Sequence, residues 1–365
     1  MDPGWARLHV QQARRSDQPS HPCINRRERT ETAMTLISTP FGARTTAAEV
    51  LAGVDLTGRR MIVTGGASGV GTATVRALAD AGARITIATR NPAIAKPLVE
   101  ESPNIDVAAV DLADLHSVRA FCAAWDGPVD AVVANAGVMM LPERQVNAQG
   151  WEMQLATNYL GHFALVTGLR TALRSAEGAR VVMVSSGAHL LAGFDFEDPQ
   201  FERKPYDSRI AYAQSKTADV LLAVGISRRW AQDGIRANAC APGQILTNLM
   251  RHLDAATLQA LGVTGSDGNT TIPDHYKTPE EGAATSVLLA ASPLLEGVTG
   301  RYFENNQEAP VVEGGPHLMA EGGPEAMVDM VAEWAVDPAA ADRLWEYAST
   351  TIRDAADLSG TSDSR

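Results

Sequence analysis

A single doubly wound α/β domain, with a parallel sheet and helices on both of its faces, is the fold this sequence predicts, and three observations predict it. Short β-branched runs alternate with helical stretches from about residue 45 to residue 303. The first strand runs straight into a glycine-rich turn, Gly65-Gly66-Ala67-Ser68-Gly69-Val70-Gly71, which opens the next helix. Several strands end in small or polar residues, the kind that line the crevice at the carboxyl edge of an open sheet. No internal repeat and no second core is visible, so one domain accounts for the folded chain.

Residues 45–51 read as a helix, with a capping-type hydroxyl at its start and an acid in its first turn, ending at Gly53. Residues 61–64 form the first strand, and the helix over 72–81 is stopped by Gly82. The second strand is 84–89; the third, 107–110, closes on Asp111-Leu112. After a helix over 115–125, the fourth strand, 129–134, ends at Asn135-Ala136-Gly137. Residues 151–174 read as one long amphipathic helix. The fifth strand, 180–184, ends in Ser185-Ser186-Gly187. A helix carries Tyr212 and runs to about Trp230, and the sixth strand, 235–240, closes on Pro242-Gly243. A helix over 279–291 and a short strand over 300–303 complete the pattern.

Charge and composition exclude several functions. The 365 residues carry a formal net charge of −12, which argues against a polyanion-binding surface and so against nucleic acid as a partner. Cys23, Cys122 and Cys240 are scattered, with neither metal spacing nor a disulfide framework, so a reducing cytoplasm is the expected location. No apolar run approaches the roughly 18 residues that span a bilayer. Residues 1–33 hold six Arg, no Lys and three Pro without hydrophobic periodicity. Residues 1–44 are therefore expected to form a disordered leader, with Met34 the expected true start, residues 45–350 the folded domain and 351–365 a flexible tail.

The chemistry gathers at strand ends. Glycines at 65, 69 and 71 allow a tight turn and a close approach to a pyrophosphate seated on a helix N-terminus. At the tip of the second strand Thr89 is followed by Arg90, with no carboxylate; an Arg there suits a 2′-phosphate, so NADP is expected and NAD less so. Alternatively, Arg90 merely ends the strand at the surface. Asp111 either accepts from an adenine amino group, with Leu112 offering a backbone N–H, or caps the next helix. Tyr212 and Lys216 stand four apart on one helix face, where an ammonium can lower a phenolic pKa and ready the phenol for acid–base work. Ser186 faces the same crevice; the Gly-x-Ser-x-Gly elbow of a serine hydrolase is absent around it. His162, His189, His252 and His275 lack ligand spacing with a nearby carboxylate, so no metal is expected.

These residues resemble the short-chain dehydrogenase/reductase family, and the likeness spans about residues 45–350. The resemblance implies a Rossmann fold. It implies cofactor contacts from Gly65, Ser68, Gly69, Val70, Gly71, Asn135, Ala136, Gly137, Tyr212, Lys216, Pro242, Gly243, Ile245 and Thr247, to which the reading of the strand tips adds Arg90, Asp111 and Leu112. It also implies a catalytic set of Asn158, Ser186, Tyr212 and Lys216, with Asn158 bracing a water chain to Lys216. Within the family, the lead-in Thr46-Ala47-Ala48-Glu49-Val50 and the run Gly297-Val298-Thr299-Gly300-Arg301-Tyr302-Phe303 are similar to retinol dehydrogenases and the WW-domain oxidoreductase.

The expected function is interconversion of an alcohol and a carbonyl on a small, apolar substrate. Its walls are expected from Met139-Met140-Leu141, residues 190–209 and residues 246–277. Two alternatives stand beside it: a non-catalytic NADP-binding sensor or scaffold, and a reductase of carbon–carbon double bonds. Family habit further implies a homodimer or homotetramer packed through helices near 156–173 and 212–230.

Overall fold

In the computed structural model the described residues are 35–360, apart from 254, 261, 265–269, 271 and 324–326. The expected leader over 1–33 and the expected start at Met34 lie outside them. In chain order come α1 (Ala47–Val50), β1 (Arg60–Thr64), α2 (Gly69–Asp80), β2 (Arg84–Thr89), α3 (Lys96–Glu101), β3 (Ile105–Ala109) and α4 (Leu115–Ala124). Then follow β4 (Ala131–Ala134), α5 (Met153–Leu155), α6 (Gly161–Gly168), α7 (Arg170–Arg174), β5 (Arg180–Val184), α8 (Ser208–Arg229), β6 (Arg236–Ala241) and α9 (Ala255–Ala260). The chain continues through α10 (Pro279–Ala291), β7 (Tyr302–Glu304), β8 (Gln307–Glu308), β9 (Val311–Val312), α11 (Pro316–Gly322), β10 (Val331–Ala332) and α12 (Pro338–Gly360).

The main sheet has the order β3-β2-β1-β4-β5-β6-β7-β8. Its pairs are parallel up to β7, and β8 closes the edge antiparallel to β7. The order reverses between β1 and β4, which opens a crevice at their carboxyl ends. Strand alternation feeds two cores. In β1, Ile62 joins the core beneath α4, α6, α8 and α12, while Met61 and Val63 join the core beneath α1, α2 and α10. Each fully buried Ile or Val contributes on the order of 1.5–3 kcal/mol of transfer free energy.

Three expectations change. Residues 36–44, expected in the leader, form an ordered strap: Ile37 N donates to Glu308 Oε2 at 2.8 Å, and Thr39 Oγ1 donates to the Asn306 carbonyl at 2.8 Å. Residues 351–360, expected in the tail, continue α12. The helix expected over 151–174 is broken. A π-helical turn spans Ala156–Leu160, and Leu169, at φ −90° and ψ 3°, separates α6 from α7. A wide turn of this kind obeys an i→i+5 bond pattern that leaves no mark in hydrophobic periodicity.

Part of the helices expected to meet a second copy, at Tyr159, Phe163 and Trp230, is covered within the chain. Trp345 of α12 packs edge-on to Phe163 and Trp230, and the Tyr159 hydroxyl donates to the Leu344 carbonyl at 3.2 Å. Among the described residues no helix is long and apolar enough to cross a membrane.

Candidate active site

The glycine turn and the end of β4 are locked together by one hydroxyl. Thr64 Oγ1, at the end of β1, accepts the N–H groups of Asn135 and Ala136, each at 2.9 Å. Asn135 Nδ2 returns a bond to the Thr64 carbonyl at 2.9 Å. Gly65 is left-handed at φ +64°, and a Cβ there would lie 2.9 Å from Ala136 Cα. A Cβ at Gly71 would lie 2.3 Å from the Gly65 carbonyl oxygen, so α2 presses directly on the turn. Ser68 caps α2 in an extended conformation without a side-chain bond to the helix, and Val70 sits in the first turn. The leading N–H groups of α2 thus converge where the crevice opens, which suits an anion.

The remaining predicted cofactor positions surround this cradle. Arg90 is exposed just past β2. Asp111 Oδ1 accepts from Ala113 N at 2.9 Å, and Leu112 is buried beside it. The cap of α4 is Asp114, which accepts from His116 N at 2.9 Å, so Asp111 does not cap that helix. Beyond β6, Pro242-Gly243 leads to buried Ile245, and Thr247 approaches the glycine turn. A Cβ built on Gly69 would lie 3.1 Å from Thr247 Cγ2.

Four side chains meet at the carboxyl ends of β4, β5 and β6. Ser186 accepts from Ala188 N at 3.2 Å, and it stands close enough to the Tyr212 phenol to draw its pKa down. Lys216 Nζ lies 5.8 Å from the Tyr212 ring centroid and donates to the Val184 carbonyl at 2.9 Å. It also pairs with Asp219 Oδ2 at 2.9 Å. Asn158, in the π-helical turn, accepts from Val138 N at 2.8 Å and donates to the Val138 carbonyl at 3.0 Å and to Ser215 Oγ at 2.9 Å. Asn158 therefore fixes the backbone just beyond Gly137, and a Cβ on Gly137 would crowd Asn158 Oδ1 at 3.1 Å. Burial raises the Tyr212 pKa, with Lys216 and Ser186 pulling down and Asp219 pushing up. The net direction is opposite to the lowered phenol expected from the Tyr–Lys spacing, because desolvation of the phenolate outweighs a partly neutralised ammonium.

The short chain dehydrogenase family model matches residues 59–257. A protein named "Probable oxidoreductase" from Streptomyces lividans is 61% identical over 304 residues, covering 82% of this chain and 99% of its own. The chain belongs to the short-chain dehydrogenase family. Human retinol dehydrogenase 13 is 36% identical over 271 residues, 70% of this chain and 79% of its own, which places the chain in the retinol-dehydrogenase-like branch. A gluconate 5-dehydrogenase from Burkholderia cenocepacia, solved with NADP and tartrate, aligns with a TM-score of 0.52 at 27% identity, covering 68% of this chain and 94% of that one. This short-chain dehydrogenase is an NAD(P)-dependent oxidoreductase.

Two histidines set aside as metal ligands hold the dehydrogenase site in shape. His162 Nδ1 lies 2.7 Å from the Asn158 carbonyl, and its Nε2 lies 2.9 Å from Thr64 Oγ1. A carbonyl can only accept, so Nδ1 carries the proton and Nε2 takes the Thr64 hydroxyl hydrogen. The ring thereby joins the cradle to Asn158. His189 does the same for Ser186: Nδ1 donates to the Ser186 carbonyl at 2.7 Å, and Nε2 accepts Ala332 N of β10 at 3.2 Å. Burial holds both imidazoles down to about pKa 4, so both are neutral at pH 7. Among the expected substrate walls, residues 190–209 are held in place: Gln214 Nε2 donates to the Pro199 carbonyl, and Gln200 Nε2 donates to the Tyr347 hydroxyl of α12. Part of 246–277 lies outside the described residues.

Proposed function

We propose that this enzyme interconverts an alcohol and a carbonyl on a small apolar substrate with NADP(H). The observation that carries the reading is the Lys216 ammonium, anchored on the Val184 carbonyl at 2.9 Å and lying 5.8 Å from the Tyr212 ring, with Ser186 at the end of β5 beside that phenol. The cradle fits a dinucleotide: the N-terminal amides of α2 meet the pyrophosphate, and Gly65 and Gly71 leave room for it. Arg90 pairs with a 2′-phosphate, which favours NADP over NAD. When bound, the nicotinamide carries the hydride. Tyr212 donates its phenolic proton to the substrate oxygen in reduction and withdraws it in oxidation. Ser186 hydrogen-bonds that oxygen as charge develops on it. Lys216, with two donors spent on Val184 and Asp219, directs its third toward the ribose. A phenol raised by burial is protonated at neutral pH, the form that gives its proton in reduction, whereas oxidation draws on the phenolate. Met139, Met140 and Leu246 supply apolar walls. Working in the cytoplasm and acting on a small molecule, with no nucleic-acid partner, complete the reading.

The test is titration with NADPH and NADH, followed by a panel of apolar aldehydes and ketones monitored by nicotinamide absorbance. NADPH should bind more tightly than NADH and be consumed. Tyr212→Phe should bind NADPH like the parent and lose about 10²–10⁴-fold in turnover. A Phe variant with parental turnover overturns the assignment of the proton donor. Tight NADPH binding without consumption of any carbonyl favours a sensor.

A further inference from the structure

Asp219 stands three residues beyond Lys216 on α8 and shares its face. Its side chain is 1% exposed, Lys216 is 6% exposed, and Oδ2 lies 2.9 Å from Nζ. The other oxygen, Oδ1, has no hydrogen-bond partner among the described residues. A buried carboxylate with one bare oxygen is costly, and an amide could tether the ammonium without that expense. The Val184 carbonyl already anchors Lys216 in the same place. The negative charge itself therefore calls for an explanation.

We propose that Asp219 is a positioning residue that clamps the Lys216 ammonium and, by neutralising it, sets the proton affinity of the Tyr212 phenol. The inference rests on Tyr212 being the proton donor. An isolated ammonium 5.8 Å from the ring would favour the phenolate strongly. A carboxylate 2.9 Å from that ammonium turns the point charge into a short dipole, whose field at the phenol is much weaker. Other ionisable groups packed around the three are neutral at pH 7. His162 of α6 is held down to about pKa 4, and Cys240 of β6 is pushed up to about 12. Tyr159, in the π-helical turn, lies well above its ordinary value. Burial lifts Asp219 to about 7, so the clamp is ionised throughout the alkaline range in which a phenol titrates.

Tyrosinate absorbance provides the test, read as each protein minus its own Tyr212→Phe counterpart, without cofactor or substrate. Asp219→Asn keeps the size and leaves an oxygen for Lys216. It should lower the Tyr212 midpoint by roughly one pH unit. Asp219→Glu keeps the charge and should leave the midpoint near the parental value. In the assay direction of alcohol oxidation, the alkaline limb should move with the midpoint. An unchanged midpoint in Asp219→Asn overturns the proposal. If Asp219→Asn does not fold, Asp219→Ser makes the same prediction. Failure of both neutral variants beside a folded Asp219→Glu makes Asp219 a structural counter-ion only, which also overturns it. A shifted midpoint in a protein that consumes no carbonyl would sink the proposed reaction and leave the clamp standing.

Discussion

Glu304 ends β7 opposite Ala241 of β6, buried, with its Oε2 accepting the Asp329 N–H at 3.0 Å. Burial, reinforced by the nearby Asp329 charge, pushes its carboxyl up to about 8. The folded protein therefore holds a proton there that the unfolded chain releases above the usual carboxylate range. Stability from this group is greatest at low pH and is lost as pH rises through about 8. Glu304→Gln should stabilise the fold at alkaline pH by up to about 5 kcal/mol, seen as a raised thermal midpoint, and the gain should shrink as pH falls toward 5. Calorimetry at several pH values checks this, and a gain independent of pH would remove the titration argument. At this scale the sequence was readable where a motif names the atom that reacts, as at Ser186, Tyr212 and Lys216. It was silent on partners brought in from elsewhere. His162 and His189 are visible as histidines, but the hydroxyl of Thr64 and the N–H of Ala332 that meet their Nε2 atoms come from β1 and β10. Asp219, three residues beyond Lys216 in the Tyr212 helix, stood at a spacing that could have pointed to the pair.

The strongest strands could be read from the chain because their β-branched runs are bounded by glycine or polar breaks, and the structure places β2, β5 and α10 on the residues expected. Strands of two residues, β8, β9 and β10, carry too little pattern to be read and exist because neighbours pair with them. Helix α12 did leave a signal: Asp337 accepts Ala339 N at 2.9 Å, Pro338 fills the first turn, and Ala341, Leu344, Trp345, Ala348 and Ile352 recur at helical spacing. The glycine turn offers a test of local geometry. Gly71→Ala forces a methyl to within 2.3 Å of the Gly65 oxygen unless the backbone shifts. The variant should fold with a modestly lower midpoint and bind NADPH at least about tenfold more weakly, because displaced amides no longer converge. Fluorescence titration reads the result; parental affinity would mean that the cradle tolerates the shift.

Taken whole, the molecule has its sheet between two cores and closes one of them with α12. Arg229 pairs with Asp342, and a Cβ on Gly225 would lie 3.2 Å from the Trp345 ring, so α12 lies close along α8. Ending the chain after Asp337 would bare Phe163, Trp230 and the adjoining apolar surface. That variant should self-associate or precipitate where the parent does not, as light scattering would report; an unchanged mass with unchanged solubility would mean that α12 covers nothing of consequence. The expected homodimer or homotetramer packing rested on helices that α12 covers in part, at Tyr159, Phe163 and Trp230, and no pattern in the sequence marked that cover. The strap over residues 36–44 adds an order of events. Ile37 and Thr39 bond to Glu308 and Asn306, some 270 residues further along. During synthesis on a ribosome, β1 to β6 can emerge and pair while the strap waits without its partner. The strap finds its partners only once residues 306–308 emerge, so the beginning of the folded chain is held by a segment made late, and a protein halted in translation before residue 306 would leave the strap exposed to proteases.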